Sequence, residues 1–472
     1  MLAEGRSPSR QIQRGIMKKF KQWVLVFFCV VAMVSGDAYA DDVLARLQGL
    51  PGVTAQETTR PEDIGQGLRR FQLFLTQPTD HFNPALGTFQ QKLVLFHRSF
   101  SEPMVLQTSG YIIFGERLSR VARAFETNQV QVEHRFFGTS TPDPKDWTKL
   151  TVRQSAEDFH RITQTLKLAY TGRWLNTGAS KGGMTSVYHR RFYPEDLDGT
   201  LADVAPLSFT RTDPRYIDFL NNVGGARYAD CRNRIEALQL ELLERRQEIL
   251  PRISGNFSML GGKEVAYEHL VISFPFIFWQ MGNPLHAEFG CAGIPARGSS
   301  AEALAHYALT VSDPEDFSDT QLLIFQPYVY QAAFELGSPG DRTAHLAHLL
   351  QYPYNLVQYL PPGIDPPYTD ATMLDMKAWV GNEAERILFI YGELDPWSAG
   401  AFRELAPAMD NHWFLVAGAN HGANYQALGP VEKAAAEATL TRWLNKSPVQ
   451  KSLFFAPEEE SLEDLELRLG RR

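Results

Sequence analysis

Three observations in the 472-residue sequence predict an α/β fold built on a mainly parallel sheet. Strand-like runs alternate with helical patterns through the first 210 residues, which is the signature of βαβ units. A helix-rich, strand-poor stretch follows at 211–370. Strand signals then return at 386 and 412, so the sheet is completed by chain that comes back after an insertion. At 44% hydrophobic and 21% charged residues the composition is globular, and the length allows a large core. The net charge of −8 argues against nucleic acid as a partner, because phosphate binding needs a basic face.

The elements follow in order. "MKKFKQWVLVFFCVVAMVSGDAYA" (17–40) has a basic start at Lys18, Lys19 and Lys21, an apolar run from Trp23 to Val34, and the small-x-small site Ala38-Tyr39-Ala40. Residues 1–40 therefore read as a signal peptide, with Met1 or Met17 as the start. The competing reading, an uncleaved anchor, is disfavoured because a span needs about 20 apolar residues. Export to the periplasm or the medium is expected, with no stable membrane association after cleavage. Residues 41–70 read as a short helix and a loop. Strand composition marks 71–77, 90–100, 104–110 and 128–137; a helical pattern at 155–170 leads to a strand at 173–178, a helix at 181–192 and a strand at 199–206. The first part of the core thus spans 41–210, a helical cap insertion 211–370, and the second part of the core 371–445 with strands at 386–392 and 412–418. Residues 446–472 form a charged tail, read as a solvated helix or frayed end.

Cys29 falls in the signal, which leaves Cys231 and Cys291, an even number suited to an oxidising compartment. A bridge between them would close a loop of roughly sixty residues and stabilise by about 4 kcal/mol; two buried free thiols are the alternative. No CxxC or HExxH occurs, and neither a metal nor a cofactor is implied.

Gly178-x-Ser180-x-Gly182 is weak as a pattern but strong in its setting, between a strand and a helix. That setting is a nucleophile elbow, and it makes the expected core that of an α/β-hydrolase. A serine hydroxyl needs a base, and in this architecture the order is Ser, acid, His. "RILFIYGELDPW" puts Asp395 just past one late strand, and "HWFLVAGANHG" puts His421 just past the next. Ser180, Asp395 and His421 are the expected catalytic triad, with Asp203 as the substitute acid. The oxyanion would be held by the backbone N–H groups of Lys181 and Tyr111, the Lys181 side chain having no part.

With these residues in hand, the chain resembles the secreted bacterial tripeptidyl aminopeptidases of the α/β-hydrolase serine peptidases, to which prolyl carboxypeptidase is related. The similar stretches include "QPTDHFNPALGTFQQKLVLF" (77–96), "VEHRFFGTSTPDPKDW" (132–147), "NTGASKGGMTSVYHRRFYPEDLDGTLADVAP" (176–206), "YVYQAAFELGSP" (328–339), "YGELDPW" (391–397) and "GANHGA" (418–423). The resemblance carries nucleophile, acid and base onto Ser180, Asp395 and His421, and implies short peptide substrates with a preference for proline before the cleaved bond. An aminopeptidase needs an anion for the substrate's amine; Glu116 and Glu133 are the candidates by position, and the competing reading has Glu133 ordering its own loop through Arg135. Phe136, Phe137 and Trp397 are the candidates for a proline pocket. An esterase or acyltransferase on the same triad is the alternative activity, and a non-catalytic binding protein a more distant one.

Overall fold

The computed structural model describes residues 43–449. The signal segment 1–40 and the tail beyond 449 lie outside the described residues. One nine-stranded sheet runs in the order β1-β2-β3-β5-β4-β6-β7-β8-β9. The strands are β1 (Val53–Glu57), β2 (Arg69–Pro78), β3 (Thr88–His97), β4 (Met104–Thr108), β5 (Asn128–Val132), β6 (Trp174–Ala179), β7 (Gly199–Asp203), β8 (Ile387–Gly392) and β9 (His412–Val416). The pairings from β1 to β5 through β2 and β3 are antiparallel, and all those from β5 through β4 to β9 are parallel. The sheet order, the parallel half and the sharp turn after β6 make this an α/β-hydrolase core.

β1 departs from the sequence reading, which leaves that stretch without a strand. Its VTAQE sequence buries Val53 but leaves Thr54 exposed. It is an edge strand whose order comes from pairing with β2, Val53 opposite Leu75, and not from its own apolar content. The readings at 90–100 and 128–137 also overrun, because β3 ends at His97 and β5 at Val132.

Period-two alternation divides the core into layers. Val105 of β4 and Leu388 and Ile390 of β8 pack on one face against α1 (Arg120–Phe125) and α10 (Pro430–Leu444), through Val121, Phe125, Leu440 and Trp443. On the other face Leu106 of β4 meets Phe159 and Ile162 of α2 (Val152–Lys167). On that face too, Phe389 of β8 packs with Val187 of α3 (Lys181–Phe192) and Trp379 of α9 (Ala371–Asn382).

Between β7 and β8 the chain builds helices α4 (Arg215–Asn222), α5 (Ala229–Glu244), α6 (Lys263–Met281), α7 (Ala301–Val311) and α8 (Asp319–Gln331) before α9. They share a separate core, in which Ile235 and Leu238 of α5 meet Leu270, Phe274 and Phe278 of α6 and Leu304 of α7. Cys231 and Cys291 form a disulfide with Cα atoms 5.2 Å apart, joining the first turn of α5 to the loop after α6. Among the described residues, no helix is long and apolar enough to cross a membrane.

Candidate active site

Ser180 occupies the turn between β6 and α3 with φ 56° and ψ −129°, a conformation that costs an L-residue energy and is held only by its surroundings. The turn is tight enough to forbid a side chain beside it: a Cβ on Gly182 would lie 2.3 Å from the Thr108 carbonyl oxygen. The strained backbone is locked from both sides, by Ser180 N–H donating to Asp203 O at 3.0 Å and Met184 N–H donating to Ser180 O at 2.9 Å. Lys181 is the first residue of α3, so its N–H has no intrahelical acceptor and sits at the positive end of the helix.

Asp395 follows β8 and is fully buried. Its Oδ1 accepts from Trp397 N–H at 3.1 Å, and its Oδ2 lies 2.7 Å from His421 Nδ1. The competing acid, Asp203, lies at the end of β7, and it is Asp395 that His421 meets. The loop after β9 carries His421, and α6 steadies that loop. His421 N–H donates to Gln280 O at 3.0 Å, while Asn420 Nδ2 donates to Met281 O at 3.1 Å and Gly282 O at 3.0 Å. The other ring nitrogen, Nε2, is buried with no hydrogen-bond partner among the described residues.

Ser180 and His421 line one cavity of about 550 Å³, walled by core loops and by residues of α6 and α8. That volume suits a ligand of a few residues. Trp397 also lines it, with its ring 6.1 Å from that of His421. Tyr111 faces Ser180 through its side chain, and its phenol lies near enough to feel the Ser180 hydroxyl. Burial pushes the Tyr111 phenol well above its usual range, so it is a neutral donor. The Tyr111 N–H, the atom expected from sequence, is instead hydrogen-bonded to Ser109 Oγ at 3.4 Å. The Lys181 side chain also departs from expectation. It is buried, donates from Nζ to Gly110 O at 2.6 Å, and lies 5.4 Å and 5.3 Å from the centres of the Tyr111 and Phe137 rings.

The remaining candidates sit elsewhere. Glu116 is taken by Arg60 at 3.0 Å and Arg70 at 3.3 Å and does not line the cavity. Glu133 turns into its own loop, accepting from Thr139 Oγ1, Ser140 N–H and Ser140 Oγ at 2.8–3.1 Å. Arg135, the partner expected for that loop, instead holds Asp158 at 2.6 and 2.8 Å. Phe136 packs on Trp147, and Phe137 stands edge-on behind Tyr111 at 5.7 Å. The carboxylates that do line the cavity are Asp203 and Asp316, alongside Arg117, Arg120 and Arg123. No local sequence signal marks Asp316; Arg120 and Arg123 lie one turn apart on α1, and Arg117 lies in the loop before it. Among the described residues no group of three or more His, Cys, Asp or Glu could hold a metal ion.

A family model described as PS-10 peptidase S37 matches residues 36–461. The chain belongs to the peptidase S37 family. This S37 peptidase is 37% identical to a prolyl tri/tetrapeptidyl aminopeptidase of Streptomyces mobaraensis over 425 residues, 87% of each chain. It is 27% identical to the lysosomal Pro-X carboxypeptidase of Mus musculus over 186 residues, 34% of this chain and 36% of that one. Among solved structures, a proline iminopeptidase of Mycobacterium smegmatis aligns with a TM-score of 0.40 at 13% identity, over 78% of this chain and 98% of that one. As a member of the family, the S37 peptidase is a serine peptidase that acts on peptide substrates.

Proposed function

We propose that this peptidase is exported and releases short peptides, tripeptides above all, from substrate N-termini, with a preference for proline before the cleaved bond. The observation that carries the reading is the 2.7 Å contact between Asp395 Oδ2 and His421 Nδ1, which leaves Nε2 as a base beside the cavity that Ser180 lines. A carboxylate accepts, so Nδ1–H donates to it and the Nε2 lone pair takes the Ser180 proton as Oγ attacks the carbonyl carbon. The Ser180 hydroxyl turns to Nε2, a contact that tightens when substrate is bound. The imidazolium then gives the proton to the leaving amine, and water hydrolyses the acyl-enzyme. The Lys181 N–H and the Tyr111 hydroxyl stabilise the oxyanion. Tyr111→Phe is expected to lower kcat by roughly 10²-fold with KM little changed, as for loss of one oxyanion donor. An unchanged kcat would remove the hydroxyl from the mechanism.

Helices α4–α8 act as a cap that restricts entry to short chains. Glu116 and Glu133 do not line the cavity, and the acids that do, Asp203 and Asp316, are the candidates to receive the substrate's amine. Asp316, on the turn Pro314–Phe317 ahead of α8, belongs to the cap and stands with the part of the cavity beyond the core loops. Asp316→Asn is expected to raise KM about tenfold for free-amine peptides, the loss of one charge-assisted hydrogen bond. Peptides with a blocked N-terminus should be unaffected, and an equal rise for both kinds would move the anchor to Asp203. The 37% identity with the prolyl tri/tetrapeptidyl aminopeptidase supports the proline preference. Mass spectrometry of products from proline-containing peptides, with free and blocked N-termini, tests the whole reading. Rapid cleavage of short acyl esters without amide turnover would favour an esterase instead.

A further inference from the structure

We infer that the Lys181 side chain is a positioning residue: its ammonium, packed against the Tyr111 and Phe137 rings, holds the Gly110 carbonyl and so fixes Tyr111 against Ser180. The inference deepens the proposed mechanism and rests on its reading of Ser180 as nucleophile. Lys181 Nζ lies 2.6 Å from Gly110 O. Gly110 has φ +74°, and a Cβ there would lie 2.7 Å from Gly182 N, so this turn presses directly on the elbow. On its far side, the Tyr111 carbonyl accepts from His134 N–H at 2.9 Å and lies 2.8 Å from Ser109 Oγ. The loop is therefore pinned at two successive carbonyls, one of them by a charged group from the residue next to the nucleophile. A shift at Gly110 would carry the next residue with it and move the Tyr111 hydroxyl relative to the oxyanion.

A buried ammonium is costly unless its surroundings compensate it. Here the compensation is the carbonyl and two ring faces, to which Glu335 adds its field to the extent that it is ionised. Glu335 lies on a π-helical turn, Ala332–Leu336, that continues α8. Its carboxylate accepts from Val152 N–H at 2.6 Å and Thr372 Oγ1 at 3.2 Å. A methionine would fill the lysine's space without the cost of desolvation, so the retained charge points to what the ammonium holds. Its titratable neighbours on the loop side are Tyr111 and His134, the latter kept neutral by burial and by the Lys181 charge. Around Glu335 stand Tyr188 of α3, Tyr330 of α8 and Tyr368, all held neutral by burial.

Burial pulls the Lys181 ammonium down to about 7, and pushes the Glu335 carboxyl up to about 7. Lys181 is charged below that pH and neutral above it, and because a neutral amine donates more weakly than an ammonium, the hold on Gly110 is strongest on the acid side and weakens as pH rises. In the full chain, Lys181→Met is expected to lower kcat by roughly 10²-fold, the cost of a small misplacement at a reacting centre. KM and melting temperature should stay close to wild type, and the alkaline fall in kcat should vanish from the pH profile. Glu335→Gln removes the charge that supports the ammonium, so it should move that alkaline limb to lower pH. Wild-type kcat and an intact alkaline limb in Lys181→Met would overturn the inference, as would a loss of kcat explained by a matching fall in melting temperature. If Lys181→Met does not fold, an unmoved limb in Glu335→Gln overturns it alone. Failure of fluorophosphonate to label Ser180 in the wild type would instead overturn the nucleophile assignment, a different outcome.

Discussion

Ser180→Ala is expected to abolish peptide hydrolysis, with kcat falling on the order of 10⁶-fold, and to abolish fluorophosphonate labelling. The fold should survive. Alanine inherits the same φ of 56°, so the backbone strain is unchanged, and the Ser180 N–H bond to Asp203 O does not involve the side chain. What is lost structurally is only the interaction of the hydroxyl with the Tyr111 phenol. A variant that melts near the wild type yet shows no turnover and no label would separate chemistry from stability. Residual activity above a thousandth of wild type would require another nucleophile.

Asp395→Asn should lower kcat by roughly 10⁴-fold at nearly constant stability. The two oxygens of Asp395 do different things. Oδ1 caps the turn Pro396–Gly400 through Trp397 N–H at 3.1 Å, and an asparagine carbonyl can do the same. Oδ2 faces His421 Nδ1 at 2.7 Å, and there asparagine presents an NH₂. Two donors cannot face each other, so the imidazole must carry its proton on Nε2 and present no lone pair to Ser180. The structural role of the carboxylate and the catalytic role proposed for it are thereby separated by a single atom. Thermal melting and kcat on a proline-containing amide measure them independently. Near-full activity in Asp395→Asn would turn attention to Asp203.

Local sequence exposes some of this and hides the rest for physical reasons. The ends of β6, β8 and β9 are legible because parallel strands buried on both faces read as apolar runs, and the glycine-rich turns beyond them stand out. The residues at those ends come together in the structure, Asp395 with His421 directly and His421 with Ser180 across one cavity. Partner choice is different, because it depends on which chain folds over the site. Glu116 looks available until Arg60 and Arg70 meet it, and Glu133 until Ser140 curls back. Lys181 shows the converse. A lysine beside a nucleophile reads as solvated, and only the packing of Tyr111 and Phe137 reveals where its ammonium goes. β1 was hidden because an edge strand can be half polar and still be held by its neighbour.

The last turn of α6 offers its carbonyls to the loop that bears His421. This makes the helical segment something other than a removable lid. A minimal enzyme cut back to the sheet and its flanking helices would lose the acceptors at Gln280, Met281 and Gly282, and with them the anchoring of the proposed base. Exchanging this segment between related enzymes would likewise succeed only where the incoming helix ends at the same height and presents the same three oxygens. Substrate scope can then be re-engineered from α8 and the turn before it, while the end of α6 travels with the core.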